Sequence, residues 1–254
     1  MVKGVLLDLS GVLYEGNRPV AGAATAVARL REAGLPVRFV TNSTRSPRRK
    51  LLEKLRGMGF ELADEELFTP ARATCDLLAG KGLAAHLLIH PDLAEDFEGH
   101  GDAEAPGAVV VGDAGEYFTY DALNAAFRLL ADGAEFYALA SNRNFFDADG
   151  ALSIDVGAFV AALEYASEQR AEVLGKPAKA FFLAALDDMG VAPEDAAMVG
   201  DDVEADVAGA LRAGVGRAVL VRTGKYRTGD EGRGDPAPSH VGDDLSGAVE
   251  WLLS

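Results

Sequence analysis

Four short segments carry side chains able to do chemistry on phosphorus. Asp8 closes the apolar run Val5-Leu6-Leu7 and is followed by Ser10 and Gly11. A carboxylate at a strand end, beside a glycine turn that opens backbone N–H groups, suits nucleophilic attack. An aspartate before a glycine also serves simply to cap a turn. Further on, Gly200-Asp201-Asp202-Val203-Glu204-Ala205-Asp206 gathers three aspartates at a strand-to-helix junction. Such a cluster is unfavourable unless something neutralises it. Its hard oxygens suit Mg2+, which takes one or two carboxylates along with waters and substrate phosphate oxygens. The same residues suit a helix start, with Asp202 at or near the N-cap and Glu204 in the first turn, and the two uses are compatible.

Thr41-Asn42-Ser43-Thr44 offers hydroxyl and amide donors after a strand and before a helix, an arrangement that binds phosphate. Thr44 and Ser46 read better as an ordinary turn and cap. Lys176, between Gly175 and Pro177, is placed to aim its ammonium at a phosphate, although a lone loop lysine is usually solvated. Asn142 and Arg143 follow the Phe136-to-Ala140 run and are candidates to read the substrate, with a plain surface arginine as the competing reading. His86, His90 and His100 lack metal-like spacing with a fourth ligand. Phe145-Phe146 and Phe181-Phe182 read as core.

Those residues need a scaffold that brings strand ends together. Short β-rich runs alternate with helical stretches, the pattern of a doubly wound α/β fold with a parallel sheet. Helices are expected over 22–33, from Ser46 with Pro47 in the first turn to Gly59, over 121–131, through Phe181 to Met189, and over 203–213. Strands are expected at 36–40, 87–89, 109–111, 136–140, 197–199 and 218–221, and a loop at 228–239. Three β-runs end in Asp8, in Thr41-Asn42 and in Asp201-Asp202. In doubly wound sheets ligands sit outside the carboxyl ends of the strands where the strand order reverses, so these residues can converge. The middle of the chain repeats the alternation by itself and reads as an insert covering that crevice.

The chain of 254 residues carries 24 Lys+Arg against 40 Asp+Glu, a formal charge of −16. Such a surface repels nucleic-acid phosphates and anionic membranes, so neither is an expected partner. An anionic ligand must find local positive charge in its site, from a metal, a lysine or backbone N–H groups. One cysteine, Cys75, and a start that runs from Lys3 straight into an acidic strand end point to a reducing, cytoplasmic setting.

In chain order, Asp8-x-Ser10-Gly11-Val12-Leu13, Thr41-Asn42-Ser43, Gly175-Lys176-Pro177 and Gly200-Asp201-Asp202 resemble the four motifs of the haloacid dehalogenase superfamily. The likeness is to its capped subclass IIA, and covers nearly the whole chain. Leu87-Leu88-Ile89-His90, Asp113-Ala114-Gly115-Glu116, Leu163-Glu164-Tyr165-Ala166 and the tail Val221 to Arg227 are similar to one phosphatase branch of it. The resemblance implies a Rossmann-like core formed by 1–78 and 175–254, with a smaller α/β cap, 79–174, that sets substrate specificity. It implies Asp8 as the nucleophile that forms an aspartyl-phosphate and binds Mg2+, with the Ser10 carbonyl and Asp201 as further ligands. Asp202 and Asp206 would orient the ligands, and Thr41, Asn42 and Ser43 would hold the phosphate. Lys176 would offset the charge of Asp8 and the phosphoryl group. A homodimer through an exposed cap face is implied as well.

Ser10 departs from the superfamily pattern, where most phosphatases have a second aspartate as general acid and base. A hydroxyl fills that role poorly, and such catalysis contributes about 10²–10⁴-fold. The expected activity is therefore Mg2+-dependent hydrolysis of small phosphorylated compounds whose leaving groups need little protonation, such as pyrophosphate or a phosphoramidate. The phosphatase branch named above shares the Asp-x-Ser arrangement. Alternatives are a phosphate-monoester phosphatase of the same family, a catalytically weak phosphate-binding protein, and a carbon–halogen hydrolase independent of the metal-binding acids.

Overall fold

The computed structural model describes residues 2–101, 106–146 and 151–254. In chain order the strands of its two parallel sheets are β1 (Gly4–Asp8), β2 (Val37–Val40), β3 (Leu67–Phe68), β4 (Ala85–Leu88), β5 (Ala108–Val111), β6 (Glu135–Ala138), β7 (Glu172–Val173), β8 (Ala196–Gly200), β9 (Arg217–Val221) and β10 (His240–Gly242). The α-helices are α1 (Ala23–Glu32), α2 (Arg48–Gly57), α3 (Pro70–Lys81), α4 (Tyr120–Ala131), α5 (Val156–Ser167), α6 (Lys179–Met189), α7 (Gly209–Ala213) and α8 (Leu245–Leu253). None of the described helices is long and apolar enough to cross a membrane.

The described chain divides into two compact units: Met1–Thr41, Leu51–Phe68 and Lys176–Ser254 form the first, and Asn42–Lys50 with Thr69–Gly175 the second. The first holds a six-stranded sheet in the order β10-β9-β8-β1-β2-β3. Every neighbouring pair in it runs parallel. β1 and β8 are buried along their whole length. Continuous apolar runs of this kind belong to parallel strands covered on both faces. From β1 the chain winds outward through β2 and β3, then returns to the other side of β1 with β8, β9 and β10. The order thus reverses between β1 and β8, and their carboxyl ends present Asp8 and, one residue past β8, Asp201. One face of the sheet packs Val5, Leu7, Phe39, Val199 and Val219 against Leu30, Leu52 and Val249.

The second unit has its own parallel sheet, β7-β6-β5-β4. Val109, Val111 and Phe136 pack with Leu130 and Val160 in one cluster, and Val110, Tyr137, Leu78 and Phe97 in another. An antiparallel pair, Asn144–Phe146 with Leu152–Ile154, also belongs to it.

The structure differs from the sequence reading in places. The unit's boundaries fall at Thr69 and Gly175, with Asn42–Lys50 added, where the sequence places the insert at 79–174. The first N–H of α2, at Arg48, donates to both carboxylate oxygens of Asp96 at 2.9 and 3.2 Å, and Pro47 precedes the helix. The stretch read as one helix over 203–213 opens with a wider π-helical segment, Val203–Ala208, before α7. Helix α3, absent from the sequence reading, starts with Thr69 as N-cap and Pro70 in its first turn. Its face of alanine, threonine and cysteine leaves little hydrophobic periodicity to see. Of the two pairs read as core, Phe181 and Phe182 are buried, Phe145 is half-buried, and the side chain of Phe146 lies outside the described residues.

Candidate active site

Asp8, at the carboxyl end of β1, is 7% exposed. Its Oδ1 accepts a hydrogen bond from Lys176 Nζ, and the same ammonium donates to Asp206 Oδ1 at 2.6 Å. Lys176 follows Gly175 and precedes Pro177, to which it is joined by a cis peptide bond. Asp201 is buried one residue after β8, and its Oδ2 accepts the backbone N–H of Lys225 at 2.7 Å. Ligand atoms of Asp8, Asp201 and Asp206 all lie within 4.8 Å of one another.

Local backbone chemistry builds this convergence. Asp202 is the N-cap of the segment after β8, its Oδ1 accepting the N–H groups of Glu204 at 3.1 Å and Ala205 at 2.9 Å. The Asp202 carbonyl accepts from both Asp206 and Val207. The second of these is the i→i+5 bond of a π-turn, a feature found often at functional sites. It swings Asp206 back so that its Oδ2 accepts the Asp202 N–H at 3.1 Å. Gly200 is what allows this, because a Cβ there would collide with the Asp206 side chain. Gly11 is a second such position: its φ is +87°, and a Cβ would drive into the Asp201 carboxylate.

Four carboxylates, Asp8, Asp201, Asp202 and Asp206, face two ammonium groups, Lys176 and Lys225. Burial, reinforced by the charges of Asp206 and Asp8, pushes Asp201 up to about 7, against the opposing Lys225 N–H. Asp206 is raised by burial too, although Lys176 works against the rise. Burial pulls Lys176 down, but the charges of Asp206 and Asp8 more than reverse this and hold it above its ordinary value. Burial would raise Asp202, yet the N–H of Ala205 and the charge of Lys225 keep it below the usual range. An excess of hard, buried oxygens with one carboxyl held near neutrality fits a divalent cation. Asp8, Asp201 and Asp206 lie close enough together to hold one, and of these Asp206 already engages both its oxygens, with Lys176 and the Asp202 N–H.

Among the other residues singled out in the sequence, Thr41 is buried just after β2 and its N–H donates to the Phe68 carbonyl at 3.3 Å. Ser10 is exposed and forms an isolated bridge with Tyr14. Asn42 and Ser43 count with the second unit, where a Cβ on Gly175 would lie 2.9 Å from Asn42 Oδ1. Asn142 and Arg143, also in that unit, are exposed, and their carbonyls accept from Gly157 at 2.9 Å and Asp155 at 3.2 Å. Lys225, Thr223, Gly224 and Glu15 have no role in the sequence reading. For the first three the signal lies in a glycine among polar residues just beyond the carboxyl end of β9; Glu15, in a short hairpin, carries none.

The site's geometry meets independent likeness. Residues 5–102 match the model of the haloacid dehalogenase-like hydrolases, and residues 173–248 match a second, HAD-hydrolase-like model. The chain belongs to the haloacid dehalogenase superfamily. A relative in this superfamily from Danio rerio, the phospholysine phosphohistidine inorganic pyrophosphate phosphatase, is 45% identical over 100% of this chain and 95% of its own. A p-nitrophenyl phosphatase from Archaeoglobus fulgidus superimposes with a TM-score of 0.91 at 27% identity, over 99% of each chain. A glycerol phosphate phosphatase from Mycobacterium tuberculosis, solved in complex with magnesium, gives a TM-score of 0.84 at 27% identity over 96% of this chain and 75% of that one. The haloacid dehalogenase fold, parallel α/β, and the class of activity, phosphatase, follow for this chain.

Proposed function

We propose that the chain is a Mg2+-dependent phosphatase of small phosphorylated compounds that works through an aspartyl-phosphate on Asp8 and favours pyrophosphate or phosphoramidates. The observation that carries this reading is the shared ammonium: Lys176 binds Asp8 and Asp206 at once, inside a carboxylate cluster with Asp201. Mg2+, held by Asp8, Asp201 and the Ser10 carbonyl, would supply charge neutralisation of the transferring phosphoryl oxygens. Asp202 and Asp206 orient this group, as the cap of the turn and the anchor of Lys176.

A carboxylate oxygen of Asp8 bonds to phosphorus as the bond to the leaving group breaks and the leaving group departs with the electron pair. Water then attacks the same phosphorus, the bond to Asp8 breaks, and orthophosphate leaves with the carboxylate restored. Lys176 lowers the repulsion between anion and anion in both steps. Thr41, Asn42 and Ser43 are the proposed holders of the phosphate oxygens. The second unit is the proposed specificity cap, with Asn142 and Arg143 reading the rest of the substrate.

The position two residues after the nucleophile is a serine, so protonation of a poor leaving group lacks a carboxyl donor. Phosphate and protonated nitrogen leave without that help, and the Danio rerio relative is named for such substrates. A second reading, hydrolysis of phosphate monoesters, is favoured by the solved neighbours named for p-nitrophenyl phosphate and glycerol phosphate. Phosphate release from pyrophosphate, a phosphoramidate, an aryl phosphate and an alkyl phosphate, each with and without Mg2+, separates them. Faster turnover of the first two, abolished in Asp8→Asn, is expected. Equal or faster turnover of the alkyl ester would establish the second reading.

A further inference from the structure

The loop that follows β9 reaches back across the sheet and touches the site at several points. Thr223 Oγ1 donates to the Gly11 carbonyl. The Gly224 N–H donates to Glu15 Oε1 at 2.6 Å, and the Lys225 N–H to Asp201 Oδ2 at 2.7 Å. Lys225 Nζ lies 3.4 Å from Asp202 Oδ2. Three consecutive residues therefore bind the nucleophile loop twice and the acidic cluster directly.

Two glycines enclose the Asp201 carboxylate. Gly224, with φ +65°, and Gly11, with φ +87°, each sit so close that an added Cβ would collide with Asp201 Oδ2. A Cβ on Gly224 would also come within 2.5 Å of the Gly11 Cα. Asp201 is thus clasped between backbone from opposite ends of the chain. Fixing Oδ2 on an amide sets the direction of the second carboxylate oxygen.

We propose that Thr223 and Gly224 are positioning residues that set the orientation of Asp201 for cation binding, with the Lys225 amide as the point of contact. The proposal rests on the reading that Asp201 ligates a divalent cation. Groups that hold a ligand from behind are worth about 10–100-fold in metal affinity when removed. A strap that served stability alone would change the melting temperature and leave affinity untouched.

The test is a calorimetric titration of Mg2+ alone into the full chain, without substrate. Gly224→Ala is expected to weaken binding by about 10–100-fold and Thr223→Val by about tenfold, with Thr223→Ser restoring it. Gly34→Ala is the control: it has the same kind of backbone, φ +77°, but open space around the added Cβ, and is expected to bind like the wild type. If Gly224→Ala does not fold, Thr223→Val against Thr223→Ser decides. Wild-type affinity in Gly224→Ala and Thr223→Val, with binding lost in Asp201→Ala, would overturn the strap and leave the cation reading intact. A wild-type chain that takes up no Mg2+ would overturn both.

Discussion

Lys176 and Asp206 are hydrogen-bonded at 2.6 Å, with 4% and 1% of their surfaces exposed, and the same ammonium reaches Asp8. Both carboxylates share the one buried ammonium. Lys176→Met would leave two buried carboxylates without their cation, and breaking a buried pair costs about 3–5 kcal/mol. The expected outcome is loss of turnover with a stability deficit of that order in urea unfolding near neutral pH. The deficit should shrink as the pH falls, because burial raises Asp206 and its protonation removes one of the two uncompensated charges.

Asp201 stands at about 7 against an ordinary 3.8. Between those values the folded, cation-free chain holds a proton that the unfolded chain releases. Its stabilising contribution is therefore full below about pH 4 and is lost as the pH rises through about 7. Cation uptake must expel the same proton. Mg2+ affinity is expected to rise by up to about tenfold per pH unit between about pH 5 and 7 and to level off above that, measured by calorimetry in buffers of different ionisation enthalpy.

Asp202 and Asp201 are adjacent but differ in what they touch. Asp202 accepts two backbone N–H groups of the turn that follows, and Asp201 belongs to the carboxylate cluster. Asp202→Ala should cost about 1 kcal/mol of stability, with Asp202→Asn recovering most of it. Asp201→Ala should instead abolish the response to Mg2+. Unfolding curves and Mg2+-dependent rates on the pair of variants check the division.

Ser10 is exposed beside the glycine turn, where a carboxyl would be open to a leaving group. Ser10→Asp is expected to raise turnover of an alkyl phosphate by about 10²-fold and to change pyrophosphate turnover far less, since general acid help matters only for the poorer leaving group. The ratio of the two rates is the readout.

Asp8 and Asp201 could be located from the sequence because each ends an apolar run, and strand ends meet where the sheet order reverses. Asp206 could be read as a member of the same acidic run, but its bond to Lys176 could not. At ordinary helical spacing Asp206 lies a turn beyond Asp202, and only the π-turn and the missing Cβ of Gly200 bring it back. The strap at Thr223 and Gly224 was equally hidden, because its partners Gly11 and Glu15 are more than two hundred positions away, as the separations of 212 and 209 residues record. The same holds for Asn42–Lys50, which joins the second unit through Lys50 on Asp92 at 2.6 Å, Arg49 on Glu95 at 3.3 Å and the Arg48 amide on Asp96. Pairing between distant charges leaves no local periodicity to read.

Gly4 pairs with Ala196 across the centre of the first sheet. The strand that pairs with β1 is thus made long after β1 itself during synthesis on the ribosome. A growing chain that ends before Asp206 has neither the third carboxylate nor the anchor for its lysine. On the proposed reading, a fragment that carries Asp8 but stops before Asp206 should release no phosphate from pyrophosphate.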